Sequence, residues 1–328
     1  MKKVVTIGGG TGRFTLLLGL KKHPVAISAI VAMSDSGGST GRLRDELGVL
    51  PPGDIRQCLI ALSGSALTMR TLMGYRFEKG GLAGHNFGNI LISTLEKITG
   101  SLEKALTIMH AILNIKGRVI PVTTDNVELV AELNDGKVIR GEDALDHYKL
   151  LSRVGVKHMH LSPKAKANPR ALKAIREADL IVVGPGDLYT SLIPNFLVDE
   201  IAREVVKSKA RKVYVANLMN LKGHTDNFSV SHYVNALESV IGKKGVFDTI
   251  VCNTRKPSPA LLKKYKREGV PVVCDKEHLP GRTVCHVDVL ASGVATIAKG
   301  DKLRRVLIRH DSDKLARVIF DLLHRKRG

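Results

Sequence analysis

The residues best suited to chemistry fall in short polar segments that each follow an apolar run. Gly8-Gly9-Gly10-Thr11-Gly12 lies between a strand-like and a helix-like stretch. Glycines there let backbone N–H groups approach an anion, and the helix N-terminus adds positive potential. Arg13 breaks the GxGxxG pattern, no Lys-Ser/Thr pair marks a Walker loop, and a tight turn that binds nothing stays open. Ser34 to Gly41 is a second such loop. Its Asp35 stands about 20 residues past the glycines, where a dinucleotide enzyme holds the ribose. It suits a metal ion on a phosphate or a simple turn equally well. Arg42 and Arg44, which follow, suit a phosphate clamp or a solvated helix. Gly184-Pro185-Gly186-Asp187 leads into Tyr189-Thr190-Ser191, while Asn217 and Asn253-Thr254-Arg255 each close a further apolar run. His85 in Gly84-His85-Asn86-Phe87-Gly88-Asn89 suits a general acid, a phosphate donor or a structural role. His158 and His160 share one strand face without a third ligand, which argues against zinc. Ser191 lacks a GxSxG elbow, and no nucleophile triad is legible.

Apolar runs alternating with helical ones position these segments. Strands are expected at Val4–Ile7, Val25–Met33, Leu180–Val183, Val213–Leu218, Ile250–Asn253 and Val272–Asp275. Helices are expected at Thr15–Lys22, Pro194–Val206, Val230–Ile241, Leu261–Arg267 and Leu315–His324, with several more between Asp54 and Asn114. Asp54 and Asn86 stand at N-cap positions. Val119 to Arg140 has the texture of short antiparallel strands, with Asn134-Asp135-Gly136 as a hairpin turn. The alternation predicts an α/β fold: a Rossmann-like, doubly wound, mostly parallel sheet. One domain spans residues 1–328, with a helical and antiparallel section inserted at about 50–150. In such sheets ligands bind beyond the carboxyl ends of the strands, and the polar segments all fall on that edge.

Composition limits the functional classes. The chain is 44% hydrophobic and 25% charged, an ordinary globular balance. No apolar run approaches the ~20 residues of a membrane span. The basic start reaches glycine too soon for a secretory signal, so a cytoplasmic location is expected. Cys58, Cys252, Cys274 and Cys285 form no CxxC pair, which argues against a disulfide framework or structural zinc and for buried thiols. A net charge of +20 favours acidic ligands. The lysines and arginines are scattered, however, and aromatics are only 4% with no Trp, so no stacking platform for nucleic acid is visible. No specific nucleic-acid partner is expected.

Taken in order, several of these segments resemble one family. Ile7 to Gly12, Asp35 to Arg44, Leu50-Pro51-Pro52-Gly53-Asp54-Ile55-Arg56, Gly84 to Asn89, Gly184 to Ser191 and Asn217-Leu218-Met219 are similar to the motifs of the gluconeogenesis factors, the YvcK-like proteins. These are related to the phospholactate transferases of deazaflavin cofactor synthesis (CofD-like). The resemblance implies a usually dimeric cytoplasmic protein, here a homodimer, with a Rossmann-like fold. It implies binding of a UDP-sugar, typically UDP-N-acetylglucosamine, and a link from carbon source to cell-wall precursors and cell shape. Carried over by motif, the ligand contacts are Gly9, Gly10, Thr11, Gly12, Asp35, Gly186, Asp187, Ser191 and Asn217, with Tyr265 and Arg309 near the C-terminus. Many relatives carry Asp-Asp where this chain has Ser34-Asp35-Ser36, and in the transferase branch paired acids there help to hold a metal. With one carboxylate in that loop, no cofactor is expected to be required and metal-dependent phosphoryl transfer is in doubt. The alternative to a regulatory binding protein is a transferase moving a phospholactyl-type group from a nucleotide diphosphate. An NAD-dependent dehydrogenase rests on Asp35 alone.

Overall fold

Short buried runs with β-branched residues form the centre of the molecule. The computed structural model describes residues 1–265, 267–292 and 308–325. The chain begins with β1 (Lys2–Gly8), α1 (Gly10–Leu20) and β2 (Val25–Val31), followed by α2 (Gly38–Leu47), α3 (Gly53–Leu62), α4 (Leu67–Gly74), α5 (Phe87–Thr99) and α6 (Leu102–Ile112). Next come β3 (Arg118–Pro121), β4 (Glu128–Leu133), β5 (Val138–Arg140), α7 (Glu142–His147), α8 (Leu151–Val154), β6 (Val156–Ser162), α9 (Pro169–Arg176) and β7 (Leu180–Val183). A single π turn (Leu188–Leu192) opens α10 (Ile193–Phe196) and precedes α11 (Asp199–Lys207), β8 (Arg211–Val215) and α12 (Val230–Ile241). The described chain closes with β9 (Thr249–Asn253), α13 (Pro259–Tyr265), β10 (Thr283–Val287) and α14 (Ser312–His324).

Seven strands form one sheet in the order β10-β9-β8-β7-β1-β2-β3. Every pairing in it is parallel. The winding direction reverses between β1 and β7, so the crevice beyond their carboxyl ends is the place for a ligand. α1 packs on α3 and α14, while α9, α11 and α12 pack in succession. β7, buried at all four residues, has no solvent-facing side, as a strand covered by helices requires. Among the described residues no helix is long and apolar enough to cross a membrane.

The α/β class and the parallel sheet match the expectation, and several details differ, among them the helix expected at Pro194–Val206, which is split into α10 and α11. β3 pairs in parallel with β2 as the edge of the main sheet and is not part of the antiparallel section. That section is the sheet β5-β4-β6, and its third strand lies beyond residue 150. Val272–Asp275 makes only an isolated bridge between Val273 and Ser229. The edge strand is the half-polar β10, whose residues are all exposed or half-buried, so no hydrophobic run announced it. Asp54 lies inside the first turn of α3, behind Pro52 at the N-cap, whereas Asn86 does cap α5 by accepting from Gly88 N and Asn89 N. Cys252 and Cys274, expected as thiols, form a disulfide with Cα atoms 6.3 Å apart. The loop after Pro271 returns beside β9 and brings them together, a contact that spacing does not encode. Cys58 and Cys285 are free.

Candidate functional site

Gly10 opens α1 with φ +68°, a left-handed conformation that favours glycine. Gly12 has ordinary φ, but a Cβ on it would lie 2.6 Å from the Pro185 carbonyl oxygen. The absence of a side chain therefore lets α1 press against the loop after β7. These two glycines bring the ends of β1 and β7 together.

Between those ends lies a cavity of about 340 Å³, within the ~300–1,000 Å³ typical of small-molecule sites. Gly10, Gly12, Gly186, Asp187, Ser191, Asn217, Tyr265 and Arg309 all line it. Thus residues far apart in the sequence, drawn from the carboxyl edge and the C-terminal segment, share one space. Gly9 lies just behind, where a Cβ would meet Asp54 and Ser191. Thr11 is in the first turn of α1, and its side chain lies outside the described part of the structure. Asp35 is not among the lining residues.

Several of these side chains hold the loops themselves. Asp187 caps the π turn, its Oδ1 accepting from Tyr189 N, Thr190 N and Thr190 Oγ1. Asn217 accepts from Gly186 N at 3.1 Å and donates to Gly186 O at 2.8 Å, which ties the β7 and β8 loops together. Tyr265 is buried with Leu218, Met219, Leu290 and Ile308 in a small separate core. Asn217→Ala leaves both Gly186 groups without their partner, a cost of about 1–3 kcal/mol. Urea denaturation is expected to show that loss, with ligand affinity falling about tenfold.

Arg13, noted in the sequence only for breaking a motif, has a structural role. Fully buried at 1% exposure, it turns back into the sheet. Its Nη1 donates to Gly8 O and to Ile30 O, fastening the ends of β1 and β2 under the glycine loop.

The electrostatics are more acidic than the net charge implies. The cavity is lined by the carboxylates of Glu142, Asp146 and Asp187 against the cations Lys149 and Arg309. Asp54, carried in by α3, accepts from Gly10 N at 3.1 Å, so a carboxylate already sits against the glycine loop. Asp54 also repels Asp35, which corrects the picture of a lone carboxylate in that region. Burial first, then Asp54, raises the Asp35 carboxyl to about 6. Burial, then Asp35, Asp146, Asp54 and Asp187, raises Glu142 to about 9. Spacing could not reveal Glu142: α7 reaches the site through Asp143 N donating to Ser36 Oγ across 107 residues.

Both carboxyls have folded-state values above their unfolded ones. Their contribution is present in full at low pH and is lost as pH rises, from about 4 to 6 for Asp35 and from about 4.5 to 9 for Glu142. Asp35→Asn is expected to reduce the stability lost between pH 5 and pH 8, by on the order of 1 kcal/mol. Thermal melts at both pH values test this.

Other candidates lie elsewhere. Ser39 Oγ meets His85 Nδ1 at 3.3 Å and accepts from Asn86 N at 3.2 Å. Burial, then Arg42, lowers the His85 pKa. This network joins α2 to α5 behind the cavity, a structural role for His85. His158 and His160 stack on β6 with ring centroids 5.6 Å apart, also outside the cavity.

Residues 4–290 match the family described as 2-phospho-L-lactate transferase CofD. The chain belongs to the CofD family. Within it, the chain is 41% identical over 324 residues to the gluconeogenesis factor of Bacillus subtilis strain 168, covering 98% of each chain. It is 39% identical over 324 residues to the gluconeogenesis factor of Halalkalibacterium halodurans, covering 98% of this chain and 96% of the relative. A crystal structure of a UPF0052 family member from Bacillus halodurans superposes with a TM-score of 0.88 at 36% identity, covering 97% and 98% of the two chains. This CofD-family protein is therefore a gluconeogenesis-factor homologue with the UPF0052 fold.

Proposed function

We propose that this CofD-family protein binds a UDP-sugar, UDP-N-acetylglucosamine foremost, as a regulatory ligand. In this reading it acts as a cytoplasmic homodimer linking carbon metabolism to cell-wall precursor supply and cell shape. The observation that carries the proposal is the meeting of eight expected contact residues in one cavity at the topological switch point. The diphosphate would lie against the N-terminus of α1, where the helix dipole favours an anion. Tyr265 and Arg309, which also line the cavity, would receive the uridine or sugar end.

The transferase branch implies a metal ion, for which Asp54, against the glycine loop, and Asp35 beside it are the candidate carboxylates. Asp35 and Asp54 are close enough to repel one another. Among the described residues, however, no group of three or more His, Cys, Asp or Glu side chains is arranged to hold a metal ion. Binding of the nucleotide sugar is proposed to need no cofactor.

A second reading, phospholactyl-type transfer, has Glu142 in its favour. With its carboxyl raised to about 9, it holds a proton at neutral pH that a leaving oxygen could take. Transfer of the phospholactyl group from a nucleotide diphosphate-linked lactate to an added alcohol, with release of the nucleoside monophosphate, followed by ³¹P NMR, would support that reading over the first.

A thermal-shift panel of UDP-sugars, GTP, NAD and NADP tests the ligand class. At 100-fold over Kd the favoured ligand adds about 2.7 kcal/mol. The expected result is a rise for UDP-N-acetylglucosamine that persists in EDTA. No rise with any UDP-sugar and a clear rise with NAD would overturn the proposal.

A further inference from the structure

The +20 charge finds no outlet in the acidic switch-point cavity, which prompts the question of where the positive charge gathers. A second cavity, of about 570 Å³, opens over β1, β2 and β3 between α6 and α9 and shares no lining residue with the first. Its floor is apolar, from Val5, Ile27, Val119 and Ile120. Lys3, Arg118, Arg170 and Lys173 line it, against the carboxylates Glu103 and Glu177 alone. Both carboxylates are already engaged. Glu177 pairs with Lys3 at 3.0 Å and Lys173 at 3.9 Å, and Glu103 pairs with Arg170 at 3.5 Å. Arg118 has no carboxylate within ion-pair distance among the described residues. Four cations against two anions leave two positive charges around one hollow. Such a hollow favours an anion that can bridge Arg118 to the lysines, because guanidinium and phosphate or carboxylate match in bidentate geometry.

We propose that this cavity is a second binding site, for a small metabolite bearing a phosphate monoester or a pair of carboxylates, with its uncharged body on the apolar floor. The site is separate from the switch-point cavity. Lys3 and Gly9 lie at opposite ends of β1, about 20 Å apart at 3.3 Å per residue. Two ligands can therefore be held at once.

His110 supplies a local probe. It lines the cavity, and its Nε2 accepts from Val119 N at 3.4 Å. Burial, then Arg118 and Arg170, lowers its pKa. Arg118 and Arg170 are the charged groups that act on it, and Lys3, Lys173, Glu103 and Glu177 line the same cavity. An anion bound among them offsets the repulsion and favours the imidazolium.

The test is the His110 titration followed by NMR in inorganic phosphate, in malonate and in chloride at matched ionic strength. Phosphate or malonate is expected to raise the His110 pKa by about half a pH unit or more over chloride. The two arms separate a phosphate ester from a dicarboxylate as the natural ligand. The double variant Arg118→Gln with Lys173→Gln should lose the anion-minus-chloride difference. Gly10→Val should retain it, which excludes transmission from the switch-point cavity. Identical titrations in all three salts, or a difference that survives the double variant, would overturn the proposal.

Discussion

Gly10→Val is expected to abolish UDP-sugar binding while the protein stays folded. Gly10 has φ +68°, and a non-glycine residue in that region costs roughly 1–2 kcal/mol. The added Cβ would stand 3.4 Å from Ser191 Oγ, on the side where the loop faces the cavity. Strain of that size is small against the ~5–15 kcal/mol stability of a typical protein. The two methyl groups beyond Cβ, however, would occupy the approach to the backbone amides. Calorimetric titration with UDP-N-acetylglucosamine should show affinity falling at least 100-fold, about 2.7 kcal/mol, with unchanged circular dichroism. Thr11→Ala, which keeps the backbone, should weaken binding about tenfold. A folded Gly10→Val protein that binds like the parent would make the glycine loop a turn and nothing more.

Arg13→Ala should have the larger effect on stability. The side chain is 1% exposed and donates to the carbonyls of Gly8 and Ile30. Its loss removes the partners of two carbonyl groups at the sheet edge and leaves a void the size of a long side chain. An unsatisfied buried polar group costs about 1–3 kcal/mol, and the void adds to that. Relief of the buried charge returns part. A net loss of about 3 kcal/mol is expected in urea denaturation, with the ends of β1 and β2 becoming the first amides to exchange. Arg13→Lys keeps the charge but its shorter, differently shaped head does not place a donor where Nη1 bonds both carbonyls, so it should recover less than half of the loss. Stability equal to the parent in Arg13→Ala would remove this residue from the account.

How much of this was legible in the sequence follows from which contacts are local. β1, β7, β8 and β9 are short buried runs ending at or just before glycine or amide residues, and β2 runs into Ser34-Asp35, so both the strands and their edge could be read. β10 could not, because its burial is partial, while the more hydrophobic Val272–Asp275 is held only by an isolated bridge. Residues placed by strand ends, such as Gly186 and Asn217, line the cavity as their positions imply. Glu142 and Asp54 were not legible as site residues, because helices from the inserted section carry them to the switch point. The raised pKa values of Glu142 and Asp35 arise from burial first and then from carboxylates distant in the sequence. Arg13 was visible as a departure from a motif, but its direction into the sheet depends on the β1–β2 pairing.

Hydrogen–deuterium exchange with and without UDP-N-acetylglucosamine tests the central claim most directly, because it reads ligand and location together. The account predicts that saturating ligand slows exchange in peptides covering residues 8–15, 184–191 and 217–221, at the ends of β1, β7 and β8. Peptides from β6 and from the α6–α9 cleft should be unchanged. Protection confined to regions away from the switch point, or none at a concentration that saturates binding, would contradict it.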